Sequence, residues 1–235
     1  MWMNVEEYAK KHKHLIGVEI PKTLITLLKT KEFRSYADLG CGGGAFLYSI
    51  NKLNIFKDRD IEVFAVDLSE IRLKNIKDIN INFTPIKADV TNIPQFSDSS
   101  IDFITTTQVI EHVDDEMMLK EIYRILSRNG TVYLTTVFKK SPSWYFYKND
   151  KGESVLDPTH IREYTEESQL FDIAEKLGFR IELNRKERLS YSLLNFLIKK
   201  LRLPEKLKVK LSSVDKYLKI PIPRYFIWEI VLVKK

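Results

Sequence analysis

A short run, Tyr36 to Leu39, leads straight into Gly40, Gly42, Gly43 and Gly44, four of the chain's eight glycines. The residues that follow, 45–55, are apolar and compatible with a helix. Glycine allows a sharp turn, a positive φ and a close approach of backbone to ligand. A strand that passes through glycines into a helix presents bare backbone N–H groups, as nucleotide-bearing ligands require. The letters around the loop fit two patterns. Asp38-x-Gly40-x-Gly42-x-Gly44 is one. Gly40-x-Gly42-x-x-Ala45, the dinucleotide fingerprint, is the other, so the loop alone leaves its ligand open.

Around this loop the hydrophobic pattern alternates between strand and helix. Segments 5–14 and 19–30 read as helices, the second with Ile20, Leu24, Leu27 and Leu28 on one face. Strands are expected over 35–40, 62–68, 82–90, 101–110 and 131–138. Helices are expected between them over 45–55, 69–79 (with Ser69 as N-cap) and 115–127 (ended by Asn129-Gly130). Such alternation predicts an α/β fold with a parallel sheet and helices on both faces. After Phe138 comes a long aromatic and polar connection, 139–164, of the kind that forms lids and binding loops. A helix over 165–177 ends at Gly178, and strands follow over 180–185 and 226–233.

At 235 residues, with 44% hydrophobic and 30% charged residues, the chain is read as one globular domain. Its parts are N-terminal helices (1–33), a core (34–185), a basic amphipathic insertion (187–220) and a last strand (226–235). The single cysteine, Cys41, excludes an internal disulfide and suits a reducing, cytoplasmic setting. The first residues lack a signal-peptide core, and no apolar run reaches the ~18 residues of a membrane span. Charge is uneven. Residues 185–235 hold fourteen Lys/Arg against four Asp/Glu, while the whole chain carries only +6. A polyanionic partner, an anionic membrane surface or a solvated lysine-rich face would each suit that asymmetry.

Three carboxylates narrow the ligand of the loop. Asp38 precedes the glycines, where it suits a positive group and repels a pyrophosphate. Asp67 ends the second strand and can accept from ribose hydroxyls. Asp89 ends the third; it can accept from an adenine amine, while the Val90 N–H serves a ring nitrogen. An amine, a ribose and an adenine without phosphate describe S-adenosylmethionine.

The ordered motifs DLGCGGG, VDLS, ADVTNIP, IDFITTTQVIEHV and LSRNGTVYLTTV resemble those of class I S-adenosylmethionine-dependent methyltransferases. The resemblance covers roughly residues 34–185 and is to the type-11-like group that includes the quinone-biosynthesis methyltransferases. It implies a Rossmann-like seven-stranded sheet whose last strand, 226–233, is antiparallel. It also implies that Asp38, Gly40, Cys41, Gly42 and Gly44 face the methionine part of the cofactor. Asp67 and Leu68 would then hold the ribose, Asp89 and Val90 the adenine, and Gln108 would border the reaction centre.

Methyl transfer from a sulfonium needs alignment above all, and an oxygen or nitrogen acceptor also needs a base. His112, just past the fourth strand, and His160, in the segment DPTHIREYT, are the candidates. That segment resembles a His-x-Arg element of the same group. Arg162 could grip a carboxylate or phosphate, and Tyr164 or Tyr147 could orient a hydroxyl. Each of the two histidines and Arg162 could instead merely fasten the loop. No His/Asp/Glu cluster at metal-ligand spacing is evident along the sequence, so no metal is expected. TTQVIEH stands where amine-gripping enzymes carry Asn/Asp-Pro-Pro-aromatic, and there is no Pro-Cys pair, which disfavours methylation of adenine N6 and cytosine C5.

The acceptor is therefore expected to be a small molecule, a sugar or a lipid-linked compound, methylated on O or N. The insertion places Leu193, Leu194, Leu197 and Leu201 on one helical side among Lys199, Lys200 and Arg202. This pattern reads as core or lid packing, as peripheral membrane contact through 193–219, or as RNA contact. An RNA-directed methyltransferase and an inactive binding protein are the alternative functions.

Overall fold

The computed structural model describes residues 18–76, 80–143, 145, 147–149, 151–192 and 219–235. The helix expected over 5–14 and most of the basic insertion, 193–218, lie outside these residues. The strands are β1 (Ser35–Leu39), β2 (Glu62–Asp67), β3 (Thr84–Lys87), β4 (Ile101–Thr107), β5 (Leu126–Lys139), β6 (Tyr147–Lys148), β7 (Ser154–Val155), β8 (Phe179–Ser192) and β9 (Lys219–Lys234). The helices are α1 (Lys22–Thr30), α2 (Ala45–Lys52), α3 (Glu70–Lys74), α4 (Asp115–Ile125) and α5 (Ser168–Leu177). Seven strands form one sheet in the order β3-β2-β1-β4-β5-β9-β8. Strands β3, β2, β1, β4 and β5 pair in parallel, and β9 runs antiparallel to both β5 and β8. The Rossmann-like sheet with an antiparallel last strand is thus present.

Successive strand residues face opposite sides of the sheet, and each side has its own core. Tyr36, Ala65, Phe103, Tyr133 and Val231 pack with Leu24 and Leu28 of α1 and Leu47 and Ile50 of α2. Ala37, Leu39, Val66, Ile104, Leu134, Ile230 and Leu232 pack with Met118, Leu119, Ile122 and Ile125 of α4 and with Leu170 and Ala174 of α5. Because helices cover both faces, all five residues of β1 are buried, polar ones included. A carboxylate in that strand, Asp38, is consequently out of water.

Several boundaries differ from expectation, each for a physical reason. Helix α4 begins at its Asp114 cap, whose side chain accepts from Met117 N at 2.8 Å, but it ends at Ile125 rather than at Asn129-Gly130. Leu126 is already extended and opens β5. Asn129, at φ 62°, absorbs an irregularity in the pairing with β4, between Ile101 and Phe103, rather than closing a helix. Strand β4 stops at Thr107, and residues 110–112 form a single 3-10 turn. Strand β9 starts at Lys219, not 226, so Pro221 and Pro223 lie within it. Pairing of β9 with β5 reaches only to Tyr225, and upstream of that, among the described residues, the strand pairs with β8 alone. A strand with a free edge tolerates residues that lack an N–H. The expected helical insertion is correspondingly trimmed, since 187–192 and 219–220 are strand.

The connection 139–164 is closed at its base. Lys139 N donates to Tyr164 O at 2.8 Å and Tyr164 N to Val137 O at 3.3 Å. Within it, β6 and β7 form a hairpin turned by Asn149, whose Oδ1 accepts from Lys151 N and Glu153 N. Among the described residues, no helix is long and apolar enough to cross a membrane.

Candidate active site and cofactor pocket

The glycine loop is anchored by β2. Gly40 N and Cys41 N both donate to Val66 O, at 2.8 and 2.9 Å. Gly40, Gly42 and Gly44 have φ of 74°, 56° and 78°, so all three are in the left-handed region. A Cβ at Gly40 would run into Val109 Cγ2, and one at Gly44 would sit 2.9 Å from Ile76 Cγ2. A Cβ at Gly42 would meet nothing within 4 Å, which leaves open space at the centre of the loop.

Asp38 stands beneath this loop at the end of a buried relay. Tyr36 Oη lies 2.6 Å from Thr105 Oγ1, which donates to Asp38 Oδ1 at 2.8 Å. Asp38 Oδ2 is buried with no hydrogen-bond partner among the described residues. Burial pushes this carboxyl up to about 7, against the pull of the Thr105 bond and with the help of the nearby Asp67 charge. Asp67 at the end of β2 accepts from Gly42 N at 2.9 Å and Ser69 N at 2.8 Å, and Arg72 lies 3.6 Å away. Ser69 caps α3 as expected by accepting from Arg72 N at 3.2 Å, while Leu68 is exposed beside it. Asp89 is exposed and holds Thr91 N and Oγ1 at 2.9 and 2.8 Å, with Val90 buried next to it. Arg124 fixes the chain beyond Val90 by donating to Ile93 O, Phe96 O, Asp98 and Glu121. Gln108 leaves β4 at φ 55°, exposed, with its N–H on Thr135 O at 2.9 Å.

The second group of candidates is built from two segments far apart in sequence. Glu111 O accepts from Ile161 N at 2.9 Å and Arg162 N at 3.4 Å, so the segment 157–164 docks on the 3-10 turn after β4. Arg162 donates to Val113 O at 2.5 Å and pairs with Asp115 at 3.2 Å. Tyr164 is buried with its hydroxyl on Asp115 Oδ2 at 3.0 Å and its ring edge-on to Trp228. Arg162 and Tyr164 thus spend their polar groups on joining the segment to α4. Tyr147, on the hairpin, is 50% exposed.

His160 is buried, with Nδ1 2.7 Å from Glu163 Oε1. The ring of His112, which keeps an exposed face, stands edge-on to it at 4.7 Å between centroids. Burial lowers the His112 pKa, and the neighbouring His160 lowers it further, which favours the neutral imidazole.

Two residues in this cluster, Glu111 and Glu163, were not read as site residues from the sequence. Glu111 is buried, gives Oε2 to Thr136 Oγ1 at 2.9 Å, and leaves Oε1 without a hydrogen-bond partner among the described residues. Burial pushes it up to about 7, opposed by its own backbone N–H, by His160 and by Thr136. Glu163 accepts from Leu156 N at 2.6 Å and pairs with Lys139 at 3.2 Å. The available signal was a carboxylate, Glu163, three positions after a histidine in the segment DPTHIREYT. The expectation of no metal-type cluster is also corrected. Glu111, His112 and His160 each bring a ligand atom to within 4.8 Å of the others, a proximity created by docking rather than by sequence spacing.

A polar cleft of about 610 Å³ opens elsewhere, between the end of α2 and the start of β2, lined by Asn51, Asn54, Lys57, Asp60 and Asn82 among others. It contains none of the candidate residues.

A family model described as a methyltransferase domain matches residues 37–134. The chain is 33% identical over 127 residues to an uncharacterized protein of Methanocaldococcus jannaschii, covering 54% of this chain and 51% of that protein. It is 29% identical over 137 residues to a malonyl-[acyl-carrier protein] O-methyltransferase of Salmonella typhimurium, covering 58% and 50%. The chain therefore spans about half the length of these curated relatives. A solved phosphoethanolamine N-methyltransferase 2 of Haemonchus contortus, in complex with S-adenosyl-L-methionine, superposes with a TM-score of 0.59 at 17% identity, covering 90% of this chain and 51% of that one. Residues 37–134 therefore match a methyltransferase domain, and the seven-stranded sheet that contains them has the fold of the solved methyltransferase.

Proposed function

We propose that this protein moves a methyl group from S-adenosylmethionine to an oxygen or nitrogen of a small-molecule, sugar or lipid-linked acceptor. The observation that carries the reading is the buried Oδ2 of Asp38, without a partner among the described residues, below a loop with open space at Gly42. A buried acceptor is costly unless a ligand supplies the missing donor, and an ammonium group is the donor that suits a carboxylate. The residues present fit this cofactor. Asp38 and the loop N–H groups would hold the methionine part, Asp67 the ribose, and Asp89 with Val90 the adenine. The cofactor, when bound, supplies an activated methyl group on a positively charged sulfur.

The chain's own work is to bind, orient and keep water out. Asp67 already spans the loop through Gly42 and the start of α3 through Ser69, which sets the loop's spacing. His112 and His160 would bound the acceptor side, with the imidazole of His112 held toward its neutral form by burial. Isothermal titration of the full chain with S-adenosylmethionine tests the reading. Saturable one-to-one binding that weakens at least ~10-fold in Asp38→Asn supports it, the scale of a lost hydrogen bond to a charged group. No binding by the folded wild-type chain would overturn it.

A further inference from the structure

We propose that Glu111, His112 and His160 form a three-ligand site for a divalent transition-metal cation at the edge of the acceptor side. One ligand atom from each residue lies within 4.8 Å of the other two. In a tetrahedral site with bonds of ~2.1 Å the ligand atoms stand ~3.4 Å apart, so small side-chain rotations close the set around a cation. Two imidazoles and one carboxylate favour zinc, cobalt, iron or manganese over magnesium or calcium, which prefer oxygen ligands throughout.

The ring nitrogens not needed for the metal are already engaged as a metal site requires. His160 Nδ1 faces the Glu163 carboxylate at 2.7 Å and must donate to it. His112 Nδ1 faces Thr159 O at 3.3 Å and Thr159 Oγ1 at 3.1 Å. The Thr159 hydroxyl donates to Asp157 Oδ1 at 2.6 Å, so both of its groups facing His112 are acceptors. With each Nδ1 so engaged, Nε2 is the nitrogen that each ring can offer to a cation. These backing partners are themselves fixed, Glu163 by Leu156 N and Lys139, and Thr159 N by Asp157 Oδ1 at 2.8 Å. The third ligand is the buried Glu111 carboxylate, whose Oε1 has no hydrogen-bond partner among the described residues while Oε2 is held by Thr136.

Three protein ligands leave at least one coordination position open. The site also lies toward the cofactor pocket, since His112 N donates to Val109 O at 2.9 Å and the Val109 side chain packs on Gly40. The open position would take an oxygen or nitrogen of the acceptor. This last step rests on the proposed methyl transfer, whereas the site itself does not.

The test uses the full chain, free of any histidine tag, stripped with a chelator and titrated with cobalt(II). Visible absorbance and equilibrium dialysis report binding, and zinc serves as competitor. One cobalt per chain, displaced by zinc, is expected. Glu163→Gln, which removes only a backing partner, is expected to weaken binding ~10–100-fold. His112→Ala, at an exposed position, and Glu111→Gln, which keeps shape, are expected to weaken it further while circular dichroism stays native. No stoichiometric binding by the wild type, or unchanged binding by folded His112→Ala and Glu111→Gln, overturns the proposal. A chain that binds S-adenosylmethionine but no cobalt sinks only the metal site. One that binds cobalt but not S-adenosylmethionine sinks only the methyl-transfer reading.

Discussion

The two halves of the candidate site are built in opposite ways. On the donor side, Asp38 and Asp67 end neighbouring parallel strands, with Leu39 opposite Val66, and the glycine loop hangs from Val66 O by two hydrogen bonds. Strand register alone sets that geometry. On the acceptor side, a segment from the 139–164 connection is laid across the turn after β4 by Ile161 N, Arg162 and Tyr164. There the geometry is only as firm as the docking. One half can therefore be disturbed while the other persists, and the following variants probe that independence.

The largest effect is expected from Trp228→Ala. Trp228 is fully buried and touches Phe138, Tyr164 and Phe171 under the docked segment, with its indole N–H on Asn184. Its loss should cost about 3–5 kcal/mol in urea unfolding. Calorimetry on the folded variant should still show wild-type affinity for S-adenosylmethionine; a loss there would mean the halves are coupled. Gly40→Ala strikes the donor side. Its left-handed φ of 74° costs a side chain about 1–3 kcal/mol, and the clash with Val109 adds to that. Donor binding should fall to background while cobalt binding survives. Arg162→Ala should cost about 1 kcal/mol, because its contacts are half-exposed, and should raise proteolysis within 139–164 without changing donor affinity.

The smallest effect is on pH dependence. Asp38 and Glu111 both sit at about 7 in the folded chain, above the ~4 of unfolded carboxylates. Between those values the folded state binds more protons, so their contribution to stability is full below pH ~4 and is lost as pH rises through about 7. Asp38→Asn should remove the donor-side share of this slope, and Glu111→Gln the acceptor-side share. Melting temperatures from pH 4.5 to 7.5 read both; parallel slopes in wild type and variants would show that neither carboxyl is perturbed.

The same contrast explains what the sequence made legible. Asp38, the glycines, Ser69 and Asp67 stand at strand ends and helix starts that a local pattern reveals, even though Asp38 reaches Thr105 and Asp67 reaches Gly42 across the sheet. Glu111 and His160 are 49 positions apart, and nothing local says that they meet. Asn129-Gly130 misled because a helix end and an irregularity in a strand both recruit residues that accept positive φ. Pro221 and Pro223 misled because a proline bars a strand only where both edges are paired. His112 and His160 were visible as residues, but their backing partners Thr159 and Glu163 became visible only once the segment 157–164 was folded against them.

Those two prolines have a further effect. Upstream of Tyr225, β9 has lost β5 as a neighbour, and an edge left open among the described residues invites pairing with another chain. Proline withholds the donors that such pairing needs, and the kink at Arg224, at φ 66°, bends the strand away from a flat template. Arg224 further ties its own carbonyl and guanidinium to Lys140 and Ser141. Among the described residues, the two-stranded end of β8 and β9 thus carries its own guard against pairing with a further strand.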